Sequence, residues 1–305
     1  MAYAGTAAYN FSCCDPDARN SQMVKTFART GFRRDLVNYP HFVDARGSDI
    51  VVTEHDSHRV QIFDKYTHEC RFNPYGEKGF YRNQLLRPNG VIVTQLPRAQ
   101  VIVSDTGNKR ICVLGIKTTQ HGYGYLEQST CWGQQDFEEP MGLEFDAKRN
   151  ILFVVDRAKR RVTMHDIRNG RLMSQCSQKL PLVKPIDIAL SPTAQIFVTD
   201  SGDNKVVVYN TNGDYLFHFG QDILNHPWGI CFDCDNNVII ADHCNDRILL
   251  FSQAGKLIRE IATCVKRPKG VSPTIHDNVV VTCEDPLGFL KIFNYRNLQF
   301  EHFRR

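Results

Sequence analysis

The sequence lacks the features that would assign it to a membrane or a secreted class of protein. No apolar run approaches the roughly 18–20 residues that a membrane-spanning helix needs. The first residues, MAYAGTAAYNFSCC, have neither the basic flank nor the long apolar stretch of a signal peptide. We therefore expect no membrane partner, and the abrupt start suggests a piece of a longer protein.

The cysteines do not indicate a disulfide-rich scaffold, and the net charge does not indicate a strongly basic protein. The 11 cysteines are odd in number and scattered singly, mostly inside apolar segments, as at Cys112, Cys231 and Cys283. A secreted disulfide framework more often has an even number of loop cysteines. This pattern predicts reduced thiols in a cytoplasmic chain. The net charge of +4 is too small to indicate a nucleic-acid partner by itself.

A repeat does run through the chain, at intervals of 41 to 52 residues. Each unit opens with a proline followed by an apolar strand, and these prolines are Pro40, Pro88, Pro140, Pro185, Pro227 and Pro268. Some fifteen residues later, in every unit but the degenerate sixth, an apolar β-branched run ends in an acid; these acids are Glu54, Asp105, Asp156, Asp200 and Asp242. Five residues beyond the acid, a cation opens a third strand, and a weaker alternating fourth strand follows.

Four short strands in a unit of this length are typical of a β-propeller blade. Six units predict an all-β, six-bladed propeller of four-stranded antiparallel blades over residues 36–305. Residues 1–35 are predicted to form an N-terminal segment with a strand near 23–30, which closes the ring by joining the last blade. The tail LQFEHFRR competes for that closing role.

Two motifs then carry a family resemblance. The stretch YGEKGFYRNQLLRPNGV (75–91) is similar to the inter-blade linker of NHL repeats, and five phased copies of Asp-x-x-x-x-Arg-like runs, such as SDTGNKRICVL, are the second mark. The chain resembles an NHL-repeat propeller, and most of all the C-terminal domains of TRIM-NHL proteins. No RING or B-box array of cysteines and histidines accompanies it.

This resemblance implies a function. TRIM-NHL proteins are cytoplasmic post-transcriptional repressors, linked to translational repression and the microRNA pathway, and their propellers bind single-stranded RNA. The implied domain is monomeric, non-catalytic and free of cofactors and metals. Its expected partners are single-stranded RNA, uridine-rich by family analogy, and protein effectors of mRNA repression. Ubiquitin-ligase chemistry, where the family has it, resides in other domains.

One face of the predicted propeller, called here the upper face, consists of the linkers entering each first strand and the turns after each acid. Cations outnumber acids there, whereas the charges of the opposite, lower face are more balanced. Cations suit phosphates, and aromatic or histidine rings suit unstacked bases. By similarity to RNA-binding relatives, the candidate contacts are Tyr39, His41, His55, Arg87, Asn89, Thr106, Arg157, Lys184, Ser201, His226, Trp228, His243, Arg267 and Lys269. Blade 3 departs from the pattern with Glu139 and Met141 at its linker, so no base contact is expected there. Glu284 and Asp285 of blade 6 would repel phosphate, and the expected footprint is therefore an arc.

Competing interpretations remain open at this point. The acid–cation pairs are expected to be structural, the upper face could be merely solvated, and Trp228 could pack between blades. Gly76-x-x-Gly79 has the wrong spacing for a P-loop, and a Cys231–Cys234–His243–Cys244 zinc site would need residues from opposite faces. A protein-binding platform, such as substrate recognition for a ubiquitin ligase, is the main alternative. A metal-dependent propeller lyase or esterase is a further one.

Overall fold

The chain forms six small antiparallel sheets arranged as the blades of a β-propeller, as the sequence predicts. The computed structural model describes residues 23–27, 37–94, 99–118, 124–177, 179–285 and 289–296. The first strand is β1 Met23–Phe27, followed by β2 Pro40–Asp44, β3 Asp49–Glu54 and β4 Arg59–Asp64 in blade 1 and by β5 Val91–Thr94, β6 Gln100–Asp105, β7 Arg110–Thr118 and β8 Gly124–Trp132 in blade 2. Blade 3 contains β9 Pro140–Asp146, β10 Ile151–Asp156, β11 Arg161–Asp166 and β12 Leu172–Gln175, and blade 4 contains β13 Pro185–Leu190, β14 Gln195–Asp200, β15 Lys205–Asn210 and β16 Tyr215–Phe219. Blade 5 contains β17 Pro227–Phe232, β18 Val238–Asp242, β19 Arg247–Phe251 and β20 Leu257–Ala262, and blade 6 contains β21 Val271–Pro273, β22 Asn278–Thr282 and β23 Leu290–Asn294. Two short 3-10 turns, Thr106–Asn108 and His243–Asn245, follow β6 and β18.

Burial follows the residue pattern of each strand. The second strands β3 and β10 are buried at every position, since their β-branched side chains pack against neighbouring blades on both faces. The outer strand β16 alternates between half-buried and exposed residues, and β12 is exposed throughout. The core therefore lies between the blades, in the layers where their sheets face one another.

Blade 1 differs from the predicted four strands. Its sheet has the order β2-β3-β4, and the outer position is covered by two isolated bridges, Val60 to Tyr75 and Phe63 to Cys70. The covering segment, KYTHECRFNPYG, is polar and contains a proline and a glycine, so it has no alternating run to form a strand.

The N-terminal strand supplies the outermost strand of blade 6, whose sheet has the order β1-β23-β22-β21. Phe27 is buried there and its ring meets Phe63 of blade 1 edge-on, with the ring centres 5.8 Å apart. The predicted closing strand near 23–30 is thus present at Met23–Phe27. Residues 28–30, like residues 1–22 and the competing tail 298–305, lie outside the described residues.

The Pro-x-Gly opener has a packing reason. A Cβ at Gly90 would lie 2.2 Å from the Met141 carbonyl oxygen of the next blade, and one at Gly229 would lie 2.3 Å from the Lys269 carbonyl oxygen. The first strands converge around the propeller axis, and at these two positions backbone meets backbone, so a side chain there does not fit. This convergence brings the residues flanking each proline close together.

One sequence-based expectation is wrong. Cys112 and Cys131 form a disulfide, although all cysteines were expected to be reduced. The two residues are directly opposite one another on β7 and β8, with their Cα atoms 4.3 Å apart. The spacing of 19 residues in the sequence conceals this pairing, because it arises only when the two long strands are in register.

Candidate nucleic-acid interface

The acids that end the second strands connect the linker and the third strand in most blades. Asp105 accepts a hydrogen bond from the backbone N–H of Leu86 (2.6 Å) and pairs with Arg110 (2.7 Å). Asp242 does the same with the N–H of Asn225 (2.7 Å) and with Arg247 (2.7 Å). Each acid therefore holds both the linker and the cation of its own blade. The expected structural acid–cation pairing is present here, and these cations are not available to phosphate.

Two further blades fit the same scheme and one departs from it. Glu54 pairs with Arg59 at 2.8 Å, and Asp156 lies 3.9 Å from Arg161. In blade 4 the third-strand cation, Lys205, pairs instead with Asp203 in the preceding turn. The number of cations that the upper face offers to a ligand is therefore smaller than the sequence count suggests.

The residue before the opening proline adopts left-handed backbone conformation in four blades. Its φ is +48° at Tyr39, +50° at Arg87, +51° at His226 and +42° at Arg267. Such angles are unfavourable for residues with a side chain, and non-glycine residues held there need support from their surroundings. All four side chains are exposed, so the strained backbone carries large polar or aromatic groups into solvent on the upper face.

The support comes from the preceding blade. The N–H of Arg87 donates to the His58 ring (3.0 Å), that of His226 to Asn204 Oδ1 (2.9 Å) and that of Arg267 to Asp246 Oδ1 (2.8 Å). In blades 2 and 3 the equivalent turn residues are Lys109 and Arg160, which cannot accept a hydrogen bond. The following pre-proline residues, Glu139 and Lys184, do not have positive φ, and their N–H groups donate to Asp156 and Asp200.

At the centre of the upper face lies a basin of about 500 Å³. Its lining includes seven of the residues nominated from the sequence, namely His41, His55, Arg87, Asn89, Thr106, Arg157 and Trp228. Gly107, Lys109, Glu138, Glu139, Met141 and Ala158 complete it. The walls therefore come from blades 1, 2, 3 and 5.

Rings form a continuous cluster at one side of this basin. The His41 and His55 rings are stacked, with centres 4.3 Å apart and planes 16° apart. Trp228 meets His41 edge-on at 5.4 Å and stacks on His243 at 5.0 Å. Trp228 also packs on the core while half-buried, so it takes part in both the packing and the surface that the sequence left as alternatives.

Lys269 is placed inside this cluster, where it is 4% exposed. Its ammonium lies 5.3 Å from the centre of the Trp228 ring, 5.9 Å from that of Tyr39 and 2.9 Å from Glu284 Oε1. Arg267 also reaches Glu284, at 3.4 Å. Glu284 was expected to oppose phosphate; it is instead shared between these two cations and partly neutralises both.

Burial favours the neutral form of the three histidines in this ring cluster. Burial lowers the pKa of His41 well below its usual value, and the charge of Lys269 and the neighbouring His55 lower it further. Burial also lowers the pKa of His55, which Asp56 partly offsets, and that of His243. Neutral imidazoles can stack on a base and can donate or accept a hydrogen bond at its edge.

Several nominated residues are engaged with the protein itself. Asn89 is buried and bridges His41 (2.6 Å) and Thr106 (2.9 Å). Arg157 forms a bidentate pair with Glu139, with Nε 2.6 Å from Oε2. Ser201 is 1% exposed and donates to the Lys184 carbonyl oxygen (3.1 Å). Neither Ser201, Lys184 nor His226 lines the basin.

Several cations remain available on the upper face. Arg87, Lys109, Arg160 and Lys184 are exposed, and their side chains make no hydrogen bond or ion pair within the described ranges. Lys109 and Arg160 were not among the nominated contacts. The signal that could have found them is their position directly before the third strand, in a turn whose geometry directs the side chain to solvent.

A second cavity, of about 240 Å³, lies on the lower side of the inner strands. There Arg46 pairs with Asp44 (3.1 Å) and, across the inner strands, with Glu144 of blade 3 (2.8 Å). Asp187 also lines this cavity, and burial raises its pKa to about 7. The lower side is thus occupied by an acid-rich cluster, in contrast to the upper face.

In the part of the chain that the structure describes, no group of three or more His, Cys, Asp or Glu side chains is placed to hold a metal ion. None of its helices has the length and apolar character required to cross a bilayer.

Comparison with known proteins agrees with the predicted family. The family model of the NHL repeat matches residues 224–251, which contain blade 5 as far as its third strand. The brain tumor protein of Drosophila melanogaster is 29% identical over 130 residues, covering 41% of this chain and 12% of that protein. The E3 ubiquitin-protein ligase NHLRC1 of Rattus norvegicus is 28% identical over 134 residues, covering 43% and 32%. The alignments thus span less than a third of the length of these relatives.

Solved structures share the fold at low sequence identity. Virginiamycin B lyase from Staphylococcus aureus superposes with a TM-score of 0.60 at 13% identity, covering 85% of this chain and 80% of the lyase. Such a likeness concerns the fold alone. Taken with the phased repeats, these matches show that the chain is a six-bladed β-propeller that contains an NHL repeat in blade 5 and is similar to NHL-repeat proteins.

Proposed function

We propose that this propeller is a non-catalytic module that binds single-stranded RNA on its upper face, in a cytoplasmic post-transcriptional repressor. The observation that carries the proposal is the basin, where neutral stacked rings lie beside exposed cations. Planar rings give stacking energy that tolerates any base, and cations give attraction to phosphate; single-stranded nucleic-acid sites combine both. The family resemblance supports the same partner, with uridine-rich RNA as the expected preference.

We expect different residues to contact the bases and the phosphates. His41, His55 and Trp228 would meet bases, since their rings border the basin. Arg87 and Lys109 would meet phosphates, because they line the basin and form no ion pair with the described residues. Arg157 would contribute less, because Glu139 already neutralises it. The footprint is then an arc over blades 1, 2 and 5, with Lys184 extending it toward blade 4.

The first experiment is a fluorescence titration of the protein with labelled poly-U, poly-A, poly-C and single-stranded DNA at two salt concentrations. We expect binding that is strongest for poly-U and that weakens steeply with salt, because counterions are released from the phosphates. Absence of binding to every polymer at low salt would contradict the proposal.

A charge-reversal pair tests which face binds. Arg87→Glu combined with Lys184→Glu should weaken RNA binding about tenfold or more, because two exposed, unpaired cations become anions. The matched control is Lys148→Glu with Lys256→Glu, which makes the same charge change at exposed lysines of lower-face turns. Equal losses in both variants would mean that net charge, and not the upper face, determines the affinity.

The protein-binding alternative is favoured by one observation, the similarity to an E3 ubiquitin-protein ligase, NHLRC1. A protein partner would depend on a compact, desolvated anchor and less on salt. If the labelled polymers fail to bind and the upper-face variants instead abolish capture of a protein, this second function replaces the first.

A further inference from the structure

Phe80 and Tyr81 form an aromatic pair that the basin does not include. Their side chains are 63% and 67% exposed, although large apolar groups in this chain are mostly buried. Their ring centres are 4.3 Å apart and their planes differ by 36°. They lie in the linker that connects blades 1 and 2, directly after Gly76 and Gly79.

The backbone beneath this pair is held rigidly. The buried Arg110, fixed by Asp105, donates hydrogen bonds to the carbonyl oxygens of Phe80 (3.0 Å), Tyr81 (3.4 Å) and Gln84 (2.9 Å). Leu85, just beyond, is fully buried. A loop fixed in this way loses little conformational entropy when its exposed side chains bind a ligand.

The linker that carries the pair is hydrogen-bonded to a turn that lines the basin. The side-chain amide of Asn108 donates to the Gly79 carbonyl oxygen at 2.8 Å, next to Phe80. Asn108 lies in the same short turn as Gly107 and Lys109, both of which line the basin. A strand leaving the basin over this turn therefore meets Lys109 first and the aromatic pair next.

The charges around the pair favour a polyanion over a protein. Lys78, Arg82 and Lys109 are exposed nearby, against a single exposed acid of the linker, Glu77. Two exposed rings bordered by cations match the combination used for single-stranded nucleic acid, in which bases stack while cations follow the backbone. An anchor for a protein partner would more often be enclosed by an apolar pocket.

We infer that Phe80 and Tyr81 form a second base-stacking site, which receives the part of a single-stranded RNA that leaves the basin over blade 2. The inference rests on the proposed function. It predicts that long RNAs use this site and that RNAs just filling the basin do not.

The test measures the affinity of labelled oligouridylates of about 4 and about 16 nucleotides, the range of site sizes known for single-strand binders. Phe80→Ala combined with Tyr81→Ala should weaken binding of the long RNA about tenfold or more, since stacking contributes that much per base. Binding of the short RNA should stay within about twofold. The dependence on salt should not change, because no charge is removed.

The controls separate stacking from folding. Tyr66→Ala removes an aromatic side chain that is 71% exposed on the lower face, and both RNAs should bind as before. Tyr81→Phe keeps the ring and should retain wild-type affinity. Tyr81→Trp adds a fluorophore at the site, so the long RNA should quench this variant more than the wild type, whereas the short RNA should quench both proteins equally.

The outcomes distinguish the two proposals. If the wild-type protein binds both RNAs and the double alanine variant binds the long one unchanged, this inference is overturned and the proposed function stands. The aromatic pair would then be a candidate contact for a protein partner. If the wild-type protein binds neither RNA, the proposed function fails and this inference fails with it.

Discussion

At the scale of single residues, Asp187 occupies in blade 4 the position after Pro-x that glycine occupies in blades 2, 3, 5 and 6. Its carboxyl group is buried against the axis and accepts a hydrogen bond from the N–H of Ile230 in the next blade (3.1 Å). Burial, together with the nearby negative charge of Glu144, raises its pKa to about 7, and Arg46 offsets this only in part. Near neutral pH this side chain therefore gains or loses a proton.

Asp187 should give the folding stability a distinctive pH dependence. Its pKa is higher in the folded state than in the unfolded chain, so its contribution to stability is fully present below about pH 4 and is lost as the pH rises through about 7. Asp187→Asn keeps an oxygen acceptor for Ile230 but cannot titrate. The free energy of unfolding of the wild type, relative to this variant, should fall by about 1–2 kcal/mol between pH 5 and pH 7.

The comparison between the two proteins is necessary because the histidines of the ring cluster act in the opposite direction. Folding lowers their pKa values, so the unfolded chain binds more protons and the free energy of unfolding decreases as the pH falls below about 6.5. Chemical denaturation of both proteins at several pH values cancels this shared term. Parallel stability curves for wild type and variant would show that Asp187 remains charged throughout.

At the scale of elements, the turn between the second and third strands explains why the face differs from blade to blade. Where the turn ends in His58, Asn204 or Asp246, its side chain accepts the N–H of the next pre-proline residue, and that residue is left-handed and exposed. Where it ends in Lys109 or Arg160, the next linker adopts an ordinary conformation. A single turn residue thus decides how the following blade presents its side chain.

Asn204→Ala should test this coupling. The matched control is Asn236→Ala, because Asn236 is also left-handed, with φ of +65° against +50°, but lies in a lower-face turn. Both variants lose the preference of asparagine for this conformation, and only Asn204→Ala also loses the acceptor for His226. Asn204→Ala should therefore be less stable than the control by about 0.5–1 kcal/mol in urea denaturation. Equal losses would mean that His226 needs no such support.

At the scale of the whole molecule, the ring is closed both by a strand and by a hydroxyl group. The strand β1 covers the edge of β23, and Thr282 Oγ1 of blade 6 donates to the His41 carbonyl oxygen of blade 1 (2.7 Å). The same kind of bond joins Thr53 to Asn89 and Ser104 to Met141 in successive blades. Closure therefore repeats, between the last blade and the first, the contact that joins ordinary neighbours.

Weakening the closing strand should destabilise the whole propeller. Phe27→Ala removes a buried ring that packs on Phe63 of blade 1 and should cost about 3 kcal/mol. Val24→Ala lies on the same strand, but Val24 is 58% exposed, so its cost should stay below about 0.5 kcal/mol. Thermal unfolding followed by circular dichroism compares the two. Similar melting temperatures for both variants would show that β1 does not close the ring.

The sequence by itself determined the fold, because each blade repeats one pattern of proline, β-branched run, acid and cation, and the physical reasons for that pattern are local. It also nominated the side of the basin formed by His41, His55 and Trp228, since residues at the same place in each repeat must converge on the axis. It could not show which cations are free. Arg157 and Lys269 are neutralised by Glu139 and Glu284, and those pairs depend on distances between segments far apart in the chain.

Other features were decided only by the tertiary structure. The Cys112–Cys131 pair depends on the register of two strands, and the missing outer strand of blade 1 depends on what else can cover its edge. The exposure of Phe80 and Tyr81 is the clearest case, because two aromatic residues beside an apolar strand would be expected to join the core. They do not, since Arg110 holds their backbone above the blade, and only the assembled linker could show that.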